Sequence, residues 1–212
     1  MLKNLTRYIK NIKNIKNKAI KYESLDANGD NIDRYQIVLK RVVIWSIAVV
    51  LLSSGLTGVS DRFINFTGCI LSIFIGLFIT ALLFAFDKIG IKQEKENQKI
   101  SPKAINILKD TQEYNFAKQF IYILGYNVIL CTFVLILILF CVCFDSLMSF
   151  NLLDYEFTYI SITSTWIFVQ GIIVICIRFF IFYYLIHIFY YTLYAISSLI
   201  NMMTIKRNRQ ND

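Results

Sequence analysis

Four dense apolar blocks dominate the chain, at residues 42–57, 63–86, 120–144 and 159–203. Runs of about 20 apolar residues read as bilayer spans, because only a helix satisfies all of its backbone polar groups internally in lipid. A soluble domain of 212 residues could bury many apolar side chains, but would not need them in blocks this long. One proline and eight glycines also argue against a loop-rich or disordered chain. The expected fold is all-α: four helical spans, with the N-terminal, linker and extended last helices forming a small cytoplasmic bundle.

Charge sets the expected orientation. Residues 1–41 carry ten basic and four acidic side chains, the 87–119 linker seven and five, and the tail from Ile205 three and one. The 58–62 turn is neutral, and the 145–158 loop has three acids and no base. Lysine and arginine accumulate on the cytoplasmic side, so both termini and the linker are expected there, which requires an even number of spans. The net charge of +8 lies beside apolar blocks, so lipid headgroups account for it better than nucleic acid does. Abundant Ile, Asn and Lys suggest a bacterial source, hence an inner membrane. The expected segments are a basic amphipathic stretch at 1–40, a first hairpin at 41–86, the linker at 87–119, a second hairpin at 120–178, and a cytoplasmic aromatic continuation with basic tail at 179–212.

The start, MLKNLTRYIKNIKNIKNKAIK, has helical apolar periodicity but neither the apolar core of a secretory signal nor a myristoylation glycine. Two readings stay open for it: a helix lying on an anionic leaflet, or one packed against protein. DANGDNID, from Asp26 to Asp33, superficially matches a calcium loop. Its sixth position is Asn31 instead of glycine and its twelfth is Ile37 instead of glutamate, so a turn with Asp33 capping the next helix is expected. Ser101 and Pro102 read as the start of the linker helix.

Gly68, Ser72, Gly76 and Thr80 recur every four residues in the second block. Such a stripe of small side chains lets helices approach closely in lipid, either within the fold or between copies of the chain. Arg178 is the one charge in the last tract. If the last helix enters at about Ile160, Arg178 lies roughly 27 Å further along, near the inner hydrocarbon edge, where it could snorkel to phosphate or water. It would then mark the inner membrane boundary; a buried ion-pair or pore-lining role and a five-span layout are the alternatives. Asn127 and Gln170 need hydrogen-bond partners across helices or a wet lumen. Beyond Arg178, residues Phe179, Phe182, Tyr183, Tyr190 and Tyr194 are expected to form a cytoplasmic association surface.

No phosphate loop, dinucleotide fingerprint or hydrolase motif occurs. The only histidine, His187, lies in the aromatic tract, and the five cysteines read as packing thiols. No enzyme activity, cofactor or metal is therefore expected. The leading expectation is a homo-oligomeric membrane protein that alters permeability or relays a signal on binding a cytoplasmic partner. The alternatives are a non-conducting scaffold, accessory or immunity protein, and a small transporter or channel subunit. Bacterial antiphage effectors and bacteriocin immunity proteins include chains of this layout, and layout alone does not set function.

Overall fold

The computed structural model describes residues 2–26, 28–55, 59–96, 104–143 and 162–210. Leu56 to Gly58 of the first turn, the Ser101–Pro102 helix start and the acidic 145–158 loop lie outside the described residues. Among the described residues five helices carry the fold: α1 (Leu2–Glu23), α2 (Arg34–Ser54), α3 (Asp61–Glu96), α4 (Ala104–Cys143) and α5 (Ile162–Gln210). The chain is all-α, with four long apolar helices and a fifth, polar one, and no sheet among the described residues. The candidate spans are Arg34–Ser54, Asp61–Phe86, Thr111–Cys143 and Phe168–Ile205, making this a multi-pass helical membrane protein.

Helix ends follow from local chemistry. After α1, the Ser24 amide bonds to the Ile20 and Lys21 carbonyls and its hydroxyl donates to Lys21 O at 2.8 Å, closing the last turn. The Asp26 carboxylate then accepts from the Asn28 and Asp30 amides at 2.9 and 2.8 Å, and Gly29 supplies a φ of 92°. A single antiparallel bridge pairs Leu25 with Asn31. The calcium-like stretch is thus a tight turn. Asp33 directly precedes α2, and its carbonyl accepts from the Gln36 and Ile37 amides. Ser60 caps α3, accepting from the Phe63 amide at 3.3 Å.

The chain divides into two compact units, made of non-contiguous segments. The first contains Met1–Ile37, Ile75–Ile129 and Phe189–Asp212. Here α1 packs on α4: Tyr22 stacks on Tyr122 with ring centroids 5.2 Å apart, Lys18 Nζ donates to the Tyr122 hydroxyl at 3.1 Å, and Ala19 is fully buried. The turn after α1 is held on α4 by Gln112 Nε2, which donates to Asn28 Oδ1 at 2.7 Å, and by Gln119 Nε2, which donates to Leu25 O at 2.9 Å. The Tyr191 hydroxyl on α5 donates to Glu23 at 3.2 Å. The N-terminal helix therefore packs with α4 and the end of α5.

The second unit contains Val38–Phe74 and Leu130–Ile188. Trp45 on α2 packs between Phe179 and Tyr183 of α5, at 4.9 and 5.7 Å between centroids. Phe63 of α3 meets Phe182 at 5.6 Å, and Phe133 of α4 meets Tyr184 edge-on at 5.2 Å. Offset and edge-on aromatic pairs contribute about 0.5–1.5 kcal/mol each beyond their buried area. In this unit α2, α3 and α4 leave large apolar side chains such as Val50, Phe66, Ile73 and Leu139 exposed, the pattern expected when lipid is the solvent.

Close packing at Ala19 has a measurable consequence. Ala19→Leu is expected to destabilise the folded chain by about 1–3 kcal/mol through overpacking against α4 and α5, read as a lower thermal midpoint in detergent. Asn17→Leu, at an exposed position of the same helix, should leave the midpoint nearly unchanged.

Candidate functional site

The most unusual polar group in the second unit is Arg178, only 1% exposed although it is a fixed charge on an apolar helix. Its Nη1 donates to the Gly55 carbonyl at 2.8 Å. Gly55 closes α2, and its own amide bonds to the Leu51 and Leu52 carbonyls. The Ser53 and Ser54 hydroxyls donate to the Val50 and Leu51 carbonyls at 2.6 and 2.7 Å. The last carbonyls of a helix have no partner within it, and in apolar surroundings water does not serve them. Two serines, one glycine amide and Arg178 together provide the donors. A cation at this end also complements the partial negative charge of a helix C-terminus.

Glycine at position 55 serves this contact sterically. A Cβ there would meet Phe182 Cε2 at 3.1 Å, tighter than an ordinary van der Waals contact, so any side chain would push the Phe182 ring away. Val59, Phe63, Ile64, Ile138, Ile181 and Phe182 surround the guanidinium and leave a gap of only about 10 Å³. That is about the smallest volume that admits one water, so Arg178 faces no broad lumen among the described residues.

The contact fixes the level at which Arg178 stands beside α2. Gly55 is at the end of α2 remote from Lys40 and Arg41, the basic pair expected at the cytoplasmic face. Arg178 cannot be level with both ends of one span. Several aromatic residues that follow it have ring partners within the chain. Phe182 is buried against Phe63, Phe179 and Tyr183 pack on Trp45, and Tyr190 and Tyr194 are half-buried with rings 6.2 Å apart. Phe179, Tyr183 and Phe182 fasten α5 to α2 and α3. His187 lies edge-on to Tyr183 at 4.7 Å, within the same aromatic packing.

In the first unit, fully buried Asn127 of α4 donates through Nδ2 to Thr192 Oγ1 of α5 at 2.9 Å. Tyr126 meets Tyr191 edge-on beside it, at 5.6 Å. Asn127 thus bridges two helices. Gln170 is half-buried on α5, far along the helix from Asn127's partner.

The small-residue stripe has a different setting. A Cβ on Gly68 or on Gly76 would meet nothing within 4 Å. The Ser72 and Thr80 hydroxyls each donate at 2.9 Å to the carbonyls of Gly68 and Gly76, four residues back in the same helix. Both hydroxyls are thereby satisfied without a neighbour, and among the described residues no other helix packs closely on the glycines. No cluster of three or more His, Cys, Asp or Glu suited to a metal occurs among the described residues. Comparison with known protein families, curated proteins and solved structures yields no match for this chain.

Sequence reasoning singled out Arg178 but missed Gly55, Trp45 and the docked edge of α1. A glycine after two serines at the end of an apolar block was the available signal for a helix stop needing a donor. Arg178→Leu should still insert but lose about 1–3 kcal/mol by leaving the Gly55 carbonyl without its donor, read as a lower thermal midpoint. Arg178→Lys should recover part of the loss, because an ammonium can also donate to a carbonyl.

Proposed function

We propose that the chain is the subunit of a homo-oligomeric bacterial inner-membrane assembly, which alters permeability or relays a signal when a cytoplasmic partner binds. The observation that carries this reading is the open stripe of Gly68, Ser72, Gly76 and Thr80. Small residues on a lipid-exposed helix face are the usual means by which transmembrane helices approach one another, and among the described residues no helix of the chain lies on the glycines. A second copy is the occupant that needs no further component. We take the role to be non-enzymatic, as no recognisable catalytic motif accompanies the spans, and the layout-level likeness to antiphage effectors belongs to the same reading.

In this proposal the termini and the 87–119 segment are cytoplasmic, following the lysine and arginine count. α2 then runs outward, so Gly55 and Arg178 stand near the extracytoplasmic end. The part of α5 from Arg178 to Ile205 becomes the crossing, roughly 40 Å at helical rise and long enough to re-emerge on the basic side. Arg178 remains a boundary residue, at the opposite boundary from the one the sequence suggests. The narrow gap around it favours a second reading, a non-conducting scaffold or immunity protein, over a pore within one subunit.

Light scattering of the purified protein in detergent, with ion flux from liposomes, tests the proposal. An oligomer that leaks ions supports it; a monomer without conductance selects the scaffold. Gly76→Leu should lower the oligomer mass while leaving the thermal midpoint of the subunit little changed, because the added side chain meets nothing within its own chain. Orientation is checked separately: a single cysteine at Asn28, in a cysteine-free background, should resist an impermeant maleimide in intact cells and react after permeabilisation.

A further inference from the structure

We propose that α1 is an interfacial helix that seats a stripe of isoleucines and lysines on anionic lipid headgroups. The inference rests on the multi-pass architecture alone and is independent of the oligomer. Within the first unit, α1 is fastened by one edge. Ile15 reaches 4.0 Å from the position a Cβ would take on Gly125, Lys18 and Tyr22 engage Tyr122, and Ala19 is buried. At 3.6 residues per turn, Tyr22, Ile15 and Ala19 fall within an arc of about 60°.

The apolar arc of α1 is wider than this docked edge. Ile12, Ile9 and Ile20 continue it for roughly another 100°, and they remain 45%, 58% and 36% exposed. Lys16 falls within that continuation and Lys13 borders it. Arg7 and Lys10 follow around the helix, and the only acid in α1 is Glu23, at its last residue. Isoleucines interleaved with lysines suit the boundary between acyl chains and headgroups, where the side-chain stems lie along apolar surface and the ammonium groups reach phosphate.

Position in the fold agrees. The turn after α1 is held at Gln112 and Gln119, and α1 itself docks at Tyr122 and Gly125, in the first half of α4's candidate span Thr111–Cys143. Charge decides the occupant. A second copy would set lysine against lysine, and nucleic acid would leave the isoleucines in water. Anionic lipid supplies both the negative charge and the apolar layer beneath it.

The test uses the full chain without its native cysteines, carrying an environment-sensitive fluorophore at Ile12→Cys or, as a control on the polar face, at Asn14→Cys. Each protein is reconstituted into vesicles of phosphatidylcholine alone or mixed equally with phosphatidylglycerol. The label at 12 should shift to the blue and be quenched by spin-labelled lipid more strongly in the anionic vesicles. The label at 14 should stay water-like in both. High salt should reverse the effect at 12, and Lys13→Gln or Lys16→Gln should each lower the seated-to-free ratio about fivefold. Both variants keep Ile15, Ala19 and Tyr22, so an unchanged thermal midpoint shows that the helix is still docked. Equal signals at 12 and 14, or a shift at 12 indifferent to phosphatidylglycerol, would overturn the proposal. So would protection of position 12 that appears only when a soluble cell extract is added, since a protein would then be the occupant.

Discussion

Every main-chain carbonyl that leaves a helix inside an apolar environment needs a donor, and α2 ends among apolar side chains. Its last turn is closed by two serine hydroxyls and the Gly55 amide, and the Gly55 carbonyl takes Arg178 from α5. A charged hydrogen bond in low dielectric is stronger than a neutral one, and leaving either partner alone there is costly. The contact therefore specifies where along its length α5 meets the end of α2. The aromatic contacts of Trp45 with Phe179 and Tyr183, and of Phe63 with Phe182, follow from that register and reinforce it.

Polar side chains within the apolar helices follow two patterns. Hydroxyls of Ser46, Ser72, Thr80 and Thr204 donate to carbonyls four residues back in their own helix, so they are compatible with a lipid-facing position. Amide side chains cannot be satisfied so locally, and they cross between elements instead. Asn127 reaches Thr192, and Gln119 reaches Leu25 O. Such cross-helix bonds contribute modestly to stability in membranes, about 0.6–2 kcal/mol, but they discriminate strongly between registers, because a slipped helix would leave the amide in hydrocarbon.

The outward faces differ in a way that bears on function. α3 turns a small-residue stripe outward, flanked by Phe66, Ile73 and Leu77, and this is the face on which the oligomer proposal rests. α1 turns outward a mixture of isoleucine and lysine that suits neither bulk water nor the acyl core. In the two proposals, one surface serves another helix and the other a headgroup layer. The aromatic side chains of α5, the most conspicuous candidates for association in the sequence, are largely occupied within the chain.

What local pattern encodes was legible in the sequence. Four apolar blocks, an extended last helix and an amphipathic start follow from composition and from a 3.6-residue period, which neighbouring residues carry among themselves. The turn at Asp26 to Asp33 was legible for the same reason, since the residues that depart from the calcium pattern lie within it. Tertiary structure decided which distant groups meet. Arg178 and Gly55 are 123 positions apart, and no periodicity relates a cation in one helix to the final carbonyl of another. The sequence could measure the distance from Arg178 to the start of its own helix, but not the level at which that helix stands beside α2. The same holds for α1, whose apolar arc was evident while the edge that docks was not, because that choice depends on Tyr122 and Gly125 more than 100 residues away.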